Sequence, residues 1–443
     1  MAEPKDPPKG RFERFRKLAT LSAQIGSDVV KSGVKRFAGS ETELLGKITA
    51  ERLVATLGDL KGAAMKIGQA ASMDPDLFSP DVQKILSRLQ NQAPAMSYAR
   101  VEETIEAELG AKPLALFRTF DETPTAAASL GQVHRATLED GREVVVKIQY
   151  PGMEQALKSD LNNLGALVKA VSLTSKSLDG RTYYKEIARE LTAELDYERE
   201  ARLAEEFRVA CVPFPDLKVP DVVLSRTSLR VLTLEFLPGI TLKDFLQSEP
   251  SDDARFKVSR LLIRAINGPF LMDGVAHADP HPGNFMVMPD GRLGIMDFGS
   301  IKRFSPAFVA AHRGTFRAVV TGEHIDVLKL VRSVGFEVAL PDAEAVLVLD
   351  QILHIAGRAL RTDSYDYAQC KIAIDMRNYF ASNAPKLLRL RPPPEAILFF
   401  RSFGGLAQNL RALAAKGDFR AVYVELADQL DGLLAAPQHV VSS

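Results

Sequence analysis

"HADPHPGNFMVMPDGRLGIMDFG", residues 277–299, carries the strongest signal of fold in this sequence. Asp279 and Asn284 stand five residues apart, and Asp297 follows Asp279 by 18 residues. The Asp-Gly pair at 290–291, flanked by apolar runs, predicts two short strands joined by a hairpin. A carboxylate that orients an attacking oxygen, followed by an amide and a carboxylate that can ligate Mg²⁺, is what phosphoryl transfer requires.

The order H-x-D-x-x-x-x-N, a strand pair and then D-F-G is the signature of protein kinases. We therefore interpret Asp279 as the catalytic base or orienting residue, and Asn284 and Asp297 as metal ligands within a nucleotide site. Hydrophobicity alternates with a strand period from residue 117 to 150, and the pattern is mainly helical from Leu242 onward. The sequence predicts an α+β, protein-kinase-like two-lobed fold with a small β-rich N-lobe, a mainly helical C-lobe and an N-terminal helical extension.

Lys147 lies in the apolar run "REVVVKIQY", where a buried lysine is costly unless it is paired. At the corresponding strand of a kinase, the lysine holds the α- and β-phosphates and is itself held by a helical glutamate. The candidates Glu194, Glu198 and Glu200 lie on a helix predicted from residue 184 to 207. Glu194 and Glu200 are six residues apart and face different directions, so we expect one of them to reach Lys147.

A second nucleotide-binding element is expected between residues 124 and 131, where three alanines replace the glycines of a phosphate-covering loop. Alanine favours a helical turn, whose methyl groups would crowd the nucleotide. Farther along, "TLEFLPG" ends a strand just before the helical lobe, and its backbone groups are expected to meet adenine. The nucleotide-binding residues predicted in these two segments are Thr125, Ala126, Ala127, Ala128, Ser129, Gly131, Glu235, Phe236 and Leu237.

Composition excludes several classes of protein. Lys plus Arg equals Asp plus Glu at 56 each, so no overall charge attracts nucleic acid, and none is expected as a partner. Two distant cysteines exclude a disulfide framework and fit a reducing compartment. No apolar run reaches the roughly 18–20 residues of a membrane span, and the N-terminus lacks a secretory signal. These features predict a cytoplasmic protein; oligomeric state is left open.

The chain divides into four predicted regions. Residues 1–40 form a basic amphipathic segment, since residues 1–36 hold nine Lys or Arg against four acids. Such a segment either lies peripherally on the inner, anionic face of a membrane or packs its apolar stripe on the rest of the protein. Residues 41–116 form a helical extension, 117–238 the kinase-like N-lobe, and 239–443 the kinase-like C-lobe with a helical C-terminal region.

Taken together, the motifs resemble the UbiB (AarF-type) family of atypical kinase-like proteins, in its coenzyme Q biosynthesis branch. The matching stretches are "KIGQ" (66–69), "AAASLGQVH" (126–134), "VVVKIQYPG", "ELDYEREA", "HADPHPGN" and "DFG". The resemblance runs from about Gly46 to at least Phe304. It implies ATP and Mg²⁺ as cofactors, and as partners a lipid or quinone precursor and coenzyme Q biosynthesis proteins.

The resemblance also implies a role for the KIGQ helix. Lys66 and Gln69 are three residues apart and share one helical face. In the family this helix docks where a kinase binds its peptide substrate, with Lys66 near the Glu194–Asp196 motif. Peptide phosphorylation would thereby be suppressed. The predicted catalytic set is Asp279, Lys147, Glu194, Glu200, Lys66 and Gln69.

Two departures from ordinary kinases agree with this interpretation. Ala278 replaces the arginine of H-R-D, so no arginine beside the base awaits a phosphorylated loop. The segment after D-F-G lacks A-P-E and becomes helical quickly. Two alternatives stay open: a small-molecule phosphotransferase of the aminoglycoside-kinase type, which also lacks A-P-E, and a non-catalytic nucleotide-gated scaffold.

Overall fold

In this computed structural model the described residues are 96–128, 130–155, 157–158, 161, 188–189 and 192–435. They form two compact units. The first runs to Ala201 and takes in Val222–Phe236, and the second comprises Arg202–Asp221 and the chain from Leu237 onward. The predicted basic segment 1–40, the helices predicted before residue 93 and the KIGQ motif lie outside the described residues.

Strands and helices are numbered along the described chain. The strands are β1 (Thr119–Phe120), β2 (Ala126–Ala128), β3 (Gly131–Thr137), β4 (Glu143–Gln149), β5 (Leu217–Lys218), β6 (Val231–Glu235), β7 (Ile240–Thr241), β8 (Val275–His277), β9 (Phe285–Val287), β10 (Leu293–Ile295), β11 (Ile301–Arg303), β12 (Glu337–Val338), β13 (Tyr365–Asp366), β14 (Leu390–Arg391) and β15 (Lys416–Gly417). The α-helices are α1 (Tyr98–Leu109), α2 (Pro113–Leu116), α3 (Tyr197–Cys211), α4 (Leu242–Gln247), α5 (Asp252–Asp273), α6 (Pro306–Thr321), α7 (Val327–Ser333), α8 (Asp342–Ala356), α9 (Ile372–Ser382), α10 (Ala384–Leu387), α11 (Pro394–Leu413) and α12 (Phe419–Ala435).

The sheet of the first unit joins five of the described strands in the antiparallel order β1-β3-β4-β6, with β2 also paired to β3. Along β4, Val144, Val146 and Ile148 are buried and alternate with less buried residues. Because successive side chains of a strand point to opposite faces, Lys147 lies on the face away from these three residues. The Asp140–Gly141 pair in the alternating region predicts a hairpin turn, and the structure confirms it, with Gly141 at φ +88° between β3 and β4.

Helix α1 covers the apolar face of this sheet. Val101 and Ile105, one helical turn apart, are fully buried and share a cluster with Val146 of β4. The sequence predicts a helix over about Tyr98–Leu109 with Ser97 as its cap, and the structure confirms these bounds. Ser97 occupies the N-cap position with an extended backbone, although its side chain makes no capping hydrogen bond within the described structure. Its carbonyl oxygen accepts from the N–H of Val101 instead, at 3.2 Å.

The three alanines form strand β2, so the predicted helical turn is wrong. Ala126 lies opposite Val133 and Ala128 opposite Gly131 in an antiparallel ladder with β3. Thr125 continues the ladder, donating its N–H to the carbonyl of Val133 at 2.8 Å. The helix preference of alanine is worth less than about 1 kcal/mol per residue, and a neighbouring strand that satisfies backbone groups overrides it.

Two further predictions about secondary structure are corrected. The apolar run "VVLSR" (222–226) predicts a strand, but the structure has only an isolated bridge at Val222, followed by a 3₁₀ turn over Leu224–Arg226. The helix predicted over 184–207 is interrupted, because residues 194–196 form a turn before α3 begins at Tyr197. Glu194 and Glu200 therefore do not share one continuous helix.

The second unit is built around the buried 22-residue helix α5. Ser251 caps its N-terminus by accepting from the N–H of Ala254, and two acidic residues in the first turn favour the same end. A four-stranded sheet among the described strands has the order β5-β10-β9-β7, and β8 pairs with β11. The hairpin between β9 and β10 is confirmed, with Gly291 at φ +87°. This arrangement places the segment 277–299 between α5 and α6.

The apolar run that begins at Arg260 includes Arg264 and Asp273, which predicts a buried helix and not a membrane span. The structure confirms this, since most residues of α5 from Val258 to Leu271 are buried. Across the parts of the chain that the structure describes, helices long and apolar enough to cross a membrane are absent.

Candidate active site

Lys147 and Glu200 form a buried ion pair within the first unit. The Lys147 Nζ lies 2.9 Å from Glu200 Oε1 and 3.1 Å from Oε2, and the two side chains are 14% and 5% exposed. The ammonium also lies 5.0 Å from the centre of the Tyr197 ring. Of the candidate glutamates, the structure places Glu200 on Lys147, whereas Glu194 lies in the turn before α3. The requirement that a lysine in this strand be paired is therefore met.

The start of α3 positions Glu200. Gln149, at the end of β4, donates its side-chain N–H to the carbonyl of Leu195 at 2.8 Å. Asp196 then receives the N–H of Arg199 on its Oδ1 at 2.8 Å, as an N-cap residue does. The backbone carbonyl of Asp196 accepts from the N–H of Glu200 at 3.1 Å. The glutamine of "KIQYPG" and the aspartate of "ELDYEREA" thus fix where the helix begins.

Gly131 lies where β3 passes close to β4. A Cβ atom built on Gly131 would stand 2.0 Å from the carbonyl oxygen of Ile148, a distance that no side chain tolerates. Gly131, predicted to bind nucleotide, is thus required by strand packing. Thr125 and Ala126–Ala128 lie in or beside β2, mostly exposed, and Ser129 lies outside the described residues.

Gln132 and His134 of the same motif have structural partners. The Gln132 Oε1 accepts from the N–H of Met96 at 2.8 Å, and its Nε2 lies 2.8 Å from His134 Nε2. The His134 Nδ1 lies 2.7 Å from the carbonyl oxygen of Asp121, so this nitrogen carries the proton and Nε2 accepts from Gln132. Burial lowers the pKa of His134, which agrees with a neutral ring.

The predicted hinge connects the two units along the chain. The N–H of Phe236 donates to the carbonyl of Glu143 at 3.0 Å, so it continues the ladder beside β4. The guanidinium of Arg135 stacks 4.0 Å from the centre of the Phe236 ring. Glu235 ends β6, and Leu237 is buried in the second unit.

The second unit holds Asp279, Asn284 and Asp297 in one hydrogen-bonded segment. The N–H of Asp279 donates to His277 Nδ1 at 3.3 Å, and His277 Nε2 lies 2.6 Å from the carbonyl oxygen of Asp297. Because Nδ1 accepts, Nε2 must carry the proton that it donates to Asp297. Asn284 Nδ2 donates to the Asp279 carbonyl at 3.0 Å, and Gly299 donates its N–H to Asp297 Oδ1 at 3.1 Å.

This arrangement suits a metal-bound phosphate. The Asn284 amide nitrogen donates to the Asp279 carbonyl, so the amide oxygen is the atom of this side chain that could ligate a metal. The carboxylate of Asp297 is a second oxygen group of the kind that Mg²⁺ prefers. No group of three or more His, Cys, Asp or Glu side chains able to hold a metal occurs in the described residues. Two oxygen ligands still fit Mg²⁺, which completes its shell with water and phosphate oxygens.

Sequence reasoning missed the part of α3 that belongs to the second unit. Phe207, fully buried, lies edge-on to the His277 ring at 5.9 Å and 6.3 Å from the Phe298 ring. Glu206 accepts from Arg303 Nε at 2.7 Å. The Phe207 contacts pack α3 against the histidine of the H-x-D motif and against the phenylalanine of D-F-G. A phenylalanine within a charged helix was the available signal.

The comparisons with known proteins agree with this geometry. The model of the ABC1 atypical kinase-like domain matches residues 88–331. The chain is 32% identical over 409 residues to the mitochondrial atypical kinase COQ8B of Rattus norvegicus, covering 88% of this chain and 75% of the rat protein. It is 28% identical over 413 residues to the mitochondrial atypical kinase COQ8 of Saccharomyces cerevisiae, covering 90% and 81%.

Among solved structures, the erythromycin complex of Rv3197 from Mycobacterium tuberculosis matches with a TM-score of 0.61 and 28% identity, over 87% of this chain and 97% of the other. These findings confirm the resemblance to the UbiB family and the α+β, kinase-like fold.

Proposed function

The chain belongs to the ABC1 atypical kinase-like family, whose members are kinase-like enzymes that act on ATP, and on that premise we propose that it binds ATP with Mg²⁺ and transfers or hydrolyses the γ-phosphoryl group in support of ubiquinone biosynthesis. The observation that supports this most directly is the segment 277–299. There the backbone of Asp279, a residue that is 7% exposed, and the side chains of Asn284 and Asp297 are held by hydrogen bonds within the segment.

Lys147 is the proposed phosphate ligand. Its ammonium has three N–H donors, and two of the short contacts to it come from the Glu200 oxygens. Glu200 both offsets the cost of burying the charge and aims the ammonium. A lysine held in this way contributes a fixed positive charge to the α- and β-phosphates without having to be ordered when ATP binds.

Asp279 is the proposed base or orienting group, and Asn284 and Asp297 are the proposed Mg²⁺ ligands. When bound, Mg²⁺ neutralises charge on the triphosphate oxygens. The backbone of Asp279 is held on both sides, by His277 through its N–H and by Asn284 through its carbonyl. Its carboxylate is therefore limited in direction, as proton abstraction from an attacking hydroxyl or water requires.

The family resemblance supports the remaining roles. Lys66 and Gln69 are proposed to suppress peptide phosphorylation from the KIGQ helix, and the basic N-terminal segment to lie on an anionic membrane surface, where lipid or quinone precursors would be met. The nucleotide-binding roles of Thr125, Ala126–Ala128, Ser129 and the hinge residues are proposed from the same resemblance.

A small-molecule acceptor is the second candidate, favoured by the short segment between Gly299 and the start of α6 at Pro306. It leaves little chain for a peptide-binding platform. ATP turnover measured with and without anionic liposomes and a quinone-precursor mimic distinguishes the candidates. Stimulation by both supports the ubiquinone role, whereas a phosphorylated soluble product in a metabolite screen supports the second.

The metal role is tested by Asp297→Asn in a thermal-shift titration with ATP and Mg²⁺. Binding at 100 times the Kd stabilises a folded protein by about 2.7 kcal/mol, and this Mg²⁺-dependent gain should disappear in the variant. Asp290→Asn is the matched control. That exposed carboxylate lies at the turn between β9 and β10, seven residues before Asp297, and contacts Arg292. Full Mg²⁺-dependent stabilisation of Asp297→Asn by ATP would contradict the proposal.

A further inference from the structure

Helix α11 carries three polar side chains at intervals of seven residues. Two of them contact the backbone of the segment that holds Asp279, and the third contacts the residue that caps α6. Glu395 accepts from the N–H and the hydroxyl of Ser305, the N-cap residue of α6, at 3.3 and 3.0 Å. Ser402 donates its hydroxyl to the carbonyl of His277 at 3.1 Å. Asn409 donates its side-chain N–H to the carbonyl of Pro280 at 2.7 Å.

The spacing keeps these side chains on one side of the helix. Seven residues turn an α-helix by about 700°, which is about 20° short of two full turns. Glu395 and Asn409 are therefore only about 40° apart around the axis, and about 21 Å apart along it. The helix buries Leu406 and Leu410 on either side of Asn409, so the polar stripe interrupts an otherwise apolar face.

The segment that holds Asp279 needs hydrogen-bond donors from another element. Pro280 and Pro282 lack N–H groups, and residues 279–282 lie outside the described strands, so the Pro280 carbonyl has no strand partner. Ser402 is 0% exposed and Asn409 4% exposed, so water does not replace them easily. Removing the donor from a buried carbonyl lowers the free energy of unfolding by more than the net contribution of the hydrogen bond, because the carbonyl stays desolvated without a partner.

The Pro280 carbonyl belongs to the Pro280–His281 peptide, which is the second peptide after the Cα atom of Asp279. The hydrogen bond from Asn409 fixes the plane of that peptide, while Asn284 holds the preceding carbonyl of Asp279. Ser402 fixes the carbonyl of His277, two residues before Asp279. The carboxylate of Asp279 is thus oriented through its backbone from α11.

We propose that Ser402 and Asn409 are positioning residues, and that α11 is a brace that sets the direction of the Asp279 carboxylate. The proposal rests on the catalytic role proposed for Asp279. It gives the C-terminal helical region a part in catalysis, although its side chains hold backbone groups and contact no reacting atom.

The test compares Asn409→Leu, which keeps the side-chain volume but removes the donor, and Ser402→Ala with Leu410→Ala. The last variant leaves the stripe intact and creates a cavity on the same helix, so it reports a purely structural effect. For each variant the Kd for Mg-ATP, the kcat for ATP turnover and hydrogen exchange at the backbone amides of residues 279–284 are measured.

We expect Asn409→Leu to lower kcat about 10- to 100-fold, as a misplaced catalytic group does, with less than a threefold change in the Kd. Exchange should accelerate at the amides of Asp279, Gly283 and Asn284. Leu410→Ala should accelerate exchange along α11 and leave these amides and kcat near wild type.

Wild-type exchange at residues 279–284 in Asn409→Leu would overturn the brace, as would a kcat no lower than that of Leu410→Ala. If the wild-type chain neither binds nor turns over ATP, the proposed function fails. The exchange measurement still decides whether α11 holds the segment. If Asn409→Leu does not fold, Ser402→Ala decides the same two outcomes.

Discussion

Removing the carboxylate of Glu200 should destabilise the first unit through the charge left on Lys147. Two unit charges about 3 Å apart attract by about 5.5 kcal/mol at an effective dielectric constant near 20. Burial of both side chains offsets part of this gain, yet loss of one partner from a buried pair typically costs about 3–5 kcal/mol. Because Lys147 keeps 14% of its side chain exposed, we expect Glu200→Ala to lower the free energy of unfolding by about 3 kcal/mol.

The same sheet contains a suitable control. Arg135 and Glu143 form a cross-strand pair at 2.8 Å whose side chains are 39% and 60% exposed. Glu143→Gln should cost less than about 1 kcal/mol, and 1 M salt should remove that cost because exposed charges are screened. The loss of stability in Glu200→Ala should persist at 1 M salt, because salt screens a buried pair much less. Glu194→Gln should leave the Lys147 pair intact.

The assay is urea unfolding followed by far-UV circular dichroism, since the chain has no tryptophan. Native-state hydrogen exchange at the β4 amides assigns the loss to the first unit. The double variant Lys147→Met/Glu200→Leu should recover most of the lost stability, because no uncompensated charge remains. A loss below about 1 kcal/mol in Glu200→Ala, or a larger loss in Glu194→Gln, would refute the buried pair as the source of this stability.

Three further predictions concern the packing, pH response and nucleotide affinity. Gly131→Ala should lower the free energy of unfolding by at least about 1–3 kcal/mol, because its Cβ would meet the carbonyl of Ile148; an unchanged urea midpoint would contradict this. Burial lowers the pKa of His134 and of His312 below their ordinary value near 6.5, so the unfolded chain binds protons first as pH falls. Stability should therefore be full above about pH 6.5 and decline below it, by at most about 1.4 kcal/mol per pH unit and histidine, and His312→Phe should reduce that slope; identical slopes would argue against it. Ala128→Gly should loosen β2 and change the affinity for ATP in a titration; unchanged affinity and unchanged autophosphorylation would count against a nucleotide role for this strand.

Sequence patterns predicted the parts of the fold that depend on neighbouring residues. The alternation of β4, the bounds of α1 and both Asp-Gly hairpins follow from local periodicity and turn chemistry. Local preference failed at Ala126–Ala128, where the ladder with β3 outweighed helix propensity. It also failed before Tyr197, where contacts from β4 and from Asp196 set the start of the helix.

The sequence by itself determined the chemistry: which carboxylates, amide and lysine are present, in which order, and on which strand face the lysine lies. Only the tertiary structure decided their partners. Lys147 meets a glutamate 53 residues away, and Pro280 meets an asparagine 129 residues away. Periodicity describes residues within a few turns or strand positions of one another. The closing of such long loops is decided by packing of whole elements, so the partner of a buried polar group becomes visible only when those elements are assembled.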